Sequence, residues 1–359
     1  MTQTLRLVPP PIRLIDAPPP DWAHIARLSD DVGLLEHARN AIARREHGYC
    51  VDDVSRGLLV ASREPQPSRQ VIRLAERYLA FLTHAQGHDG GFHNRFSYDR
   101  RWLDEPSTGD WWGRALWGLG TAAARSTVPW IRREAVEAFR LGVHRRSPWP
   151  RAMAFAGLGA AEVLRADPKD TAAAQLLADA ATVIGLPGDD PEWVWPEPEL
   201  TYANPALAEV VILAGDLLGD EPLLTDGLRM LDWLCREQEH EGHLSTVPVG
   251  GWRPGVPKHR HDQQPIETAA TADACATAAA VTGDDRWDAP LFQAIVWFLG
   301  DNDTGTVMYD PRTGGGYDGL KADGPNLNQG AESTLAFLST MQHARVLADR
   351  GARSPGDTA

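Results

Sequence analysis

The chain has 359 residues, 43% of them hydrophobic, which is enough for one large core. With a net charge of −14 and a pI of about 5.3, its surface would repel polyanions, so we expect neither nucleic acid nor membrane partners. The three cysteines, Cys50, Cys235 and Cys275, are too far apart in sequence to indicate a disulfide framework or a zinc knuckle. Without a secretory pattern at the N-terminus or an apolar run of about eighteen residues, a cytoplasmic location is expected.

The chain is predicted to contain three segments. Residues 1–29 are rich in proline and are expected to form an extended arm over the surface. Residues 30–350 are predicted to form a single domain, and residues 351–359 a flexible C-terminal tail.

Two types of helical segment alternate along the domain. One type is apolar nearly all round, rich in Ala, Leu and Gly, and is predicted to start near residues 53, 110, 150, 204, 267 and 332. The other type is amphipathic and covers residues 31–46, 68–86, 127–143, 169–185, 222–239 and 285–300. Helices that are apolar on all sides are buried, whereas amphipathic helices face water. The alternation predicts an all-α (α/α)6 barrel with its inner-helix N-termini at one mouth. An open α-solenoid is the alternative, but the loops here are longer than solenoid turns.

A stretch rich in glycine, aromatic and charged residues spans residues 84–120. Aromatic rings can stack on the apolar faces of sugars, while carboxylate, amide and guanidinium groups bond hydroxyls. We therefore expect six side chains of this stretch to bind a sugar, with Asp99 and Arg100 paired. They are His93, Asn94, Tyr98, Asp99, Arg100 and Trp102. The alternative is an ordered loop stabilised by its own salt bridges and buried rings.

Two later loops add six further candidates for substrate binding. These are Trp252, His261 and Gln264 in the loop over residues 242–264, and Tyr317, Asp318 and Asn328 in the loop over residues 305–330. The first loop also holds basic residues that are suited to phosphate. Its histidines lack the helical spacing of a metal site, and the glycines over residues 314–316 lack the Lys-Ser/Thr of a phosphate loop. The sequence therefore predicts neither a metal nor another cofactor.

Four carboxylates near the predicted starts of inner helices are the catalytic candidates: Asp53, Asp110, Glu267 and Glu332. Glycoside hydrolysis needs a carboxylic acid to protonate the leaving oxygen and a carboxylate on the other side of the bond. Asp110 and Glu267 form the leading pair, because both follow loops that contain Trp. Glu267 is assigned as the acid because its longer side chain reaches past the helix end, and Asp110 as the base. Each residue can instead be a simple helix cap.

Five motifs, GYCVDD, FHNRFSYDRRWLDE, DQQPIETA, YDGL and NQGAEST, resemble those of six-hairpin glycosidase-like (α/α)6-barrel proteins. Within that group they are similar to a bacterial subgroup associated with glycosyltransferases. The resemblance covers residues 30–350 and implies the barrel fold and a carbohydrate substrate. It supplies no catalytic pair, and Val54 departs from the small polar residue or Asn expected after the two aspartates.

The predicted function is a glycoside hydrolase acting on an oligosaccharide or a glycoconjugate through a carboxylate pair. One alternative is a sugar phosphorylase. Another is an N-acylglucosamine-epimerase-like isomerase, which would use His88 or His93 together with His261 as acid and base. A third is a non-catalytic carbohydrate-binding partner of a glycosyltransferase. Because the fold hosts several chemistries, it does not choose among them, and the sequence leaves the sugar and the oligomeric state open.

Overall fold

The computed structural model of the chain describes residues 12–353 and is mostly helical. Six inner helices begin within two residues of the predicted positions. They are α2 (Val51–Ser62), α4 (Asp110–Arg125), α6 (Pro150–Ala166), α8 (Asn204–Leu218), α10 (Pro265–Thr282) and α12 (Ala331–Arg353). Each packs on the next in chain order, and α12 packs back against α2. The ring is therefore closed, which excludes the open solenoid and confirms the all-α (α/α)6 barrel.

Outer helices connect the inner ones. They are α3 (Arg69–Ala85), α5 (Pro129–Gly142), α7 (Thr171–Ile184), α9 (Glu221–Gln238) and α11 (Asp288–Leu299), and each contacts the inner helix that precedes it in the chain. Three of them start at a side-chain cap, as when the Ser68 hydroxyl accepts from the Val71 N–H at 3.3 Å. The amphipathic pattern that predicted them reflects one buried stripe per helix.

The first predicted outer helix, over residues 31–46, is wrong. A short helix α1 (Ala23–Leu28) lies against α12 instead, and residues 38–43 form a β-hairpin. Asn40 adopts a left-handed conformation in the tight turn of this hairpin, which breaks a helical path. Because α1 is buried at His24, Ile25 and Leu28, the ordered domain starts before residue 30.

Each of the two predicted terminal segments lies partly outside the residues that the structure describes. Residues 1–11 of the predicted arm lie outside the described residues, and residues 14–16 of the arm form one 3-10 turn. In the predicted C-terminal tail, α12 continues to Arg353 and residues 354–359 lie outside the described range.

Inner helices α4 and α6 pack backbone to backbone through glycines. A Cβ on Gly113 would lie 2.1 Å from the carbonyl oxygen of Ala152. One on Gly120 would lie 2.3 Å from the oxygen of Gly159, and one on Gly159 would lie 2.3 Å from that of Leu116. No side chain fits at these contacts, which explains the glycines within an apolar helix.

Within residues 12–353 the strands are all short and pair as five antiparallel hairpins or ladders in the loops. They are β1 (Ala38–Arg39), β2 (Ile42–Ala43), β3 (Tyr49–Cys50), β4 (Arg95–Phe96), β5 (Glu239–His240), β6 (His243–Leu244), β7 (Tyr309–Asp310), β8 (Gly315–Gly316), β9 (Gly319–Lys321) and β10 (Gly324–Asn326). Pairing of β3 with β4 brings Arg95 to the start of α2, and a bridge between Gln263 and Leu320 joins β9 to the start of α10. None of the helices within the described range is both long and apolar enough to cross a membrane.

Candidate active site

A cavity of about 1070 Å³ opens at the end of the barrel where the inner helices begin. Residues at or just before the start of all six inner helices line it, so the N-termini meet at one mouth as predicted. Seven lining residues carry carboxylates: Glu36, Asp52, Asp53, Asp110, Glu197, Asp318 and Glu332. Four carry guanidinium groups: Arg56, Arg95, Arg114 and Arg151. Aromatic rings come from Trp111, Trp149 and Tyr202, and side-chain amides from Asn94, Gln264, Asn326 and Asn328.

Arg56 joins two of the predicted catalytic carboxylates. One terminal nitrogen lies 2.6 Å from Asp53 and the other lies 2.6 Å from Glu332. Asp53 also accepts a contact from the Cys50 thiol at 3.2 Å. Burial raises the pKa of Asp53 to about 7, against the opposing effect of Arg56, and the charge of Glu332 adds to the rise. Asp53 is therefore enclosed by partners on both oxygens.

Asp52 is more open to the cavity than Asp53. Its side chain is 21% exposed, and its nearest ion pair, with Arg114, is long at 3.4 Å. Burial raises the pKa of Asp52, opposed by Arg56 and Arg114 and reinforced by the charges of Asp110 and Glu332. Asp52 thus combines access to the cavity with a pKa above that of an ordinary aspartate.

The cavity floor contains a guanidinium group in an unusual setting. Arg114 is buried and lies over the Phe155 ring, 3.8 Å from its centroid. Burial and the neighbouring Arg56 charge lower the pKa of Arg114 to about 10, against the attraction of Asp52. It still carries its charge at neutral pH, which keeps a positive group next to Asp52.

Asp110 is the first residue of α4 and has no ion-pair partner within residues 12–353. The Tyr202 hydroxyl donates to it, which fixes the orientation of the carboxylate. The same part of the wall carries Trp149, whose side chain is largely exposed (64%), and Trp111, whose indole N–H donates to the Phe92 carbonyl at 2.8 Å. Asp110 therefore lies beside rings that can stack on a sugar.

Glu267 lies behind the cavity wall instead of on it. It is only 2% exposed, while its neighbours Gln264 and Ile266 line the cavity. One carboxylate oxygen accepts from the Ala203 N–H at 2.5 Å, and the other is buried without a partner. Burial raises the pKa of Glu267 to about 7. Because Ala203 has a left-handed conformation just before α8, Glu267 supports the start of that helix.

The aromatic stretch is mostly packed on itself, outside the cavity. Trp102 contacts Phe81, His84 and Phe96, and it stacks on His93 with ring centroids 4.6 Å apart. The His93 ring is held at 2.6 Å by the carbonyl of Asp104. Among the six side chains predicted to bind sugar in this stretch, Asn94 is the one that lines the cavity.

The predicted pairing of Asp99 with Arg100 is wrong. Asp99 lies 3.3 Å from Arg101, and Arg100 reaches Asp31 at 2.7 Å. Arg100 has a positive φ, which turns its side chain away from its neighbour in the sequence. Tyr98 lies outside the cavity lining and is half exposed.

The two later loops divide in the same way. Gln264, Asp318 and Asn328 line the cavity, whereas Trp252, His261 and Tyr317 do not. Trp252 packs against Trp193 with centroids 5.4 Å apart, and its N–H donates to the Val256 carbonyl at 2.9 Å. The histidines and basic residues of the loop over residues 242–264 therefore lie away from the carboxylates that line the cavity.

Several lining residues were not selected from the sequence, namely Glu36, Arg56, Arg114 and Glu197. A signal was available for two of them. Arg56 and Arg114 each follow an aspartate by four residues at the start of an inner helix, so that both side chains share one helix face. Glu36 and Glu197 lie in loops, and no local pattern placed them.

One cluster of possible metal ligands occurs within residues 12–353. Donor atoms of Glu36, Cys50 and Asp53 all lie within 4.8 Å of one another. Both carboxylates already pair with guanidinium groups, Glu36 with Arg95 and Asp53 with Arg56. The cluster is therefore already neutralised, and we assign no metal to it.

The fold is similar to those of solved carbohydrate-active enzymes. A sugar epimerase from a ruminal bacterium matches with a TM-score of 0.70 and 12% identity, covering 94% of this chain and 96% of that one. A cellobiose 2-epimerase from Bacillus thermoamylovorans matches with a TM-score of 0.68 and 12% identity, covering 91% and 95%. A GH76 alpha-mannanase from Bacteroides thetaiotaomicron matches with a TM-score of 0.59 and 11% identity, covering 85% and 88%.

No protein-family model matches the sequence, and no curated protein does either. At this level of identity the structural likeness establishes the (α/α)6 fold. The reaction has to be argued from the residues of the cavity.

Proposed function

We propose that this protein is a glycoside hydrolase acting on an oligosaccharide or a glycoconjugate, with Asp52 as the acid and Asp110 as the base. The observation that carries the proposal is the pair itself. Two carboxylates from neighbouring inner helices face a sugar-sized cavity beside Trp111 and Trp149. Within residues 12–353 Asp110 has no ion-pair partner, and Asp52 has the long 3.4 Å pair with Arg114. Carbohydrate-active enzymes with epimerase and hydrolase activities share the fold, which supports a sugar substrate.

In the proposed reaction, protonated Asp52 gives its proton to the glycosidic oxygen as the bond from that oxygen to the anomeric carbon breaks. Asp110 takes a proton from the water molecule that attacks the same carbon. The products are a free sugar and an alcohol, and the two carboxyl groups have exchanged their protonation states. Proton exchange with water restores them for the next cycle.

The acid role moves from Glu267 to Asp52 because an acid must touch the leaving oxygen. The carboxyl group of Glu267 is held behind the wall by the Ala203 N–H, whereas Asp52 lines the cavity. Asp53 and Glu332 share Arg56, so we assign them to positioning that guanidinium group beside the acid.

The alternatives have less support from the same residues. A phosphorylase needs an anion site, but the four cavity guanidinium groups are paired and the basic loop around His261 lies outside the lining. An epimerase working through two histidines needs both on the cavity wall. Within the described residues His37 is the one histidine there, and His93 is stacked on Trp102.

The test is a screen of aryl glycosides and defined oligosaccharides, with and without phosphate, followed by chromatography of the products. Release of free sugar independent of phosphate is expected. Formation of sugar phosphate would establish the phosphorylase instead, and an isomerised sugar would establish the epimerase. Sugar binding without any turnover would favour the third alternative, a non-catalytic carbohydrate-binding partner of a glycosyltransferase.

A further inference from the structure

The cavity carries more negative than positive charge. Its seven carboxyl groups face four guanidinium groups, an excess of two negative charges with Asp52 protonated as the proposed acid, and no lysine lines it within residues 12–353. A site built for a sugar acid or a phosphosugar would hold free cations. The wall of this cavity instead carries an excess of carboxyl groups over guanidinium groups.

All four guanidinium groups already have carboxylate partners. Arg56 is shared by Asp53 and Glu332, Arg114 pairs with Asp52, and Arg95 pairs with Glu36. The fourth, Arg151, pairs with Glu197 and also donates to the Asn204 side chain at 3.0 Å. Because each guanidinium charge is already offset by a carboxylate, an anionic ligand would meet little uncompensated positive charge on this wall.

Asp318 differs from the other carboxylates on its side of the cavity. It accepts from the Gly330 N–H at 2.7 Å and from the Ser333 hydroxyl, and no arginine or lysine pairs with it in the described chain. Burial raises the pKa of Asp318, against the opposing effects of the Gly330 N–H, the Ser333 side chain and His37. Asn326 and Asn328 line the cavity beside it and can bond hydroxyl groups.

Two lining acceptors are buried without a partner, the side-chain oxygen of Asn94 and one carboxylate oxygen of Glu197. One lining donor, the Nε of Arg56, is likewise buried without a partner. Unpaired buried acceptors are costly unless a ligand donates to them. These three atoms have almost no accessible surface, so the polar groups on this side that a ligand can reach are Asp318 and the amides of Asn326 and Asn328.

We propose that the cavity selects a sugar that carries a protonated amine, with the ammonium group paired to Asp318, and discriminates against sugar acids. This inference rests on the proposed function insofar as the ligand is a sugar. A hexosamine ring supplies both the cation that Asp318 lacks and the hydroxyl donors that the amides accept.

The experiment titrates the full chain with glucosamine, glucose and glucuronate and with their three galactose-type counterparts, at neutral pH and low salt. Binding is followed by tryptophan fluorescence, since Trp111 and Trp149 line the cavity. We expect the amino sugar to bind roughly tenfold more tightly than the neutral sugar in at least one series, the scale of one charge-assisted bond. The sugar acid should bind most weakly.

Asp318→Asn keeps an acceptor for Gly330 and should bring the amino sugar down to the affinity of the neutral sugar. Asp323→Asn is the matched control, because Asp323 lies exposed in the turn between β9 and β10 and makes the same charge change away from the cavity. It should leave the ranking unchanged. Circular dichroism checks that both variants fold.

The ranking is repeated as kcat/KM on the matching nitrophenyl glycosides, so that binding and turnover are judged separately. Equal affinity for amino and neutral sugars, or tightest binding of the acid, would overturn the amine preference and leave the hydrolase proposal in place. If the proposed hydrolase is wrong, no glycoside is cleaved while the ranking of ligands can still be measured. Absence of binding and turnover for every sugar would overturn both.

Discussion

Two aromatic-rich regions of this barrel behave in opposite ways. Around Trp102, rings from α3 and the loop before α4 pack on one another, with four ring neighbours within 6 Å of the indole. At the starts of α4 and α6, Trp111 and Trp149 stand on the cavity wall beside ion pairs, and Trp149 is largely exposed. Rings that contact each other complete a core, whereas a ring left open beside polar groups is available to a ligand.

The largest effect on the rate of glycoside cleavage is expected from Asp52 and Asp110, the carboxylates on the cavity wall. Asp110→Asn and Asp52→Asn should each lower kcat on a glycoside with a poor leaving group by about 10²- to 10⁴-fold, because each removes a proton-transfer group. Asp99→Asn, in the packed region and highly exposed, should stay near the parental rate. Steady-state kinetics of the three variants make the measurement. A large loss in Asp99→Asn together with a normal Asp110→Asn would reverse the assignment of the two regions.

A pair of tryptophan substitutions compares the regions directly. Trp149→Ala should weaken sugar binding by about 1–3 kcal/mol while the unfolding free energy hardly changes, since the ring is exposed. Trp102→Ala should lower the unfolding free energy by about 2–4 kcal/mol through loss of its ring contacts and leave sugar affinity unchanged. Calorimetric titration and urea unfolding measure the two quantities. Weakened binding in a folded Trp102→Ala protein would return the packed loop to the site.

Smaller effects on stability and on kcat are expected from substitution of Glu267, which is buried behind the cavity wall, whereas Asp52 faces the cavity. Its pKa is raised from 4.5 in the unfolded chain to about 7 by burial, so its contribution to stability is full below pH 4.5 and is lost as pH rises through 7. That shift corresponds to about 3 kcal/mol at most. Glu267→Gln should therefore remove part of the decline in stability between pH 5 and 8.

Thermal unfolding across that pH range compares Glu267→Gln with the parent chain, and kcat is measured on the same samples. We expect kcat to fall less than tenfold, because the carboxyl group lies behind the wall. A loss as large as that of Asp110→Asn, with unchanged stability, would restore Glu267 as the acid.

The fold could be predicted because it depends on repetition. The apolar composition of each inner helix indicates that the helix is buried on all sides. Six such segments predict a closed ring and the positions where its helices begin. The site was harder to predict, because it depends on which way loops turn. Asp318 and Asn328 are found in the cavity while Tyr317 is not, and Arg100 turns away through one positive φ. Neighbours in sequence separate in space there, and nothing in local composition records the turn.

Closure of the ring has a consequence for the order of events during synthesis. Helix α2 packs against α12, and Arg56 on α2 bonds Glu332 on α12, although more than two hundred residues separate them. A ribosome therefore releases α2 long before its second neighbour exists. Until then one side of an apolar helix stays uncovered, and Arg56 and Asp53 form an incomplete wall. Such a nascent chain depends on the late arrival of α12, so the cavity wall is complete only after α12 has been synthesised and has packed against α2.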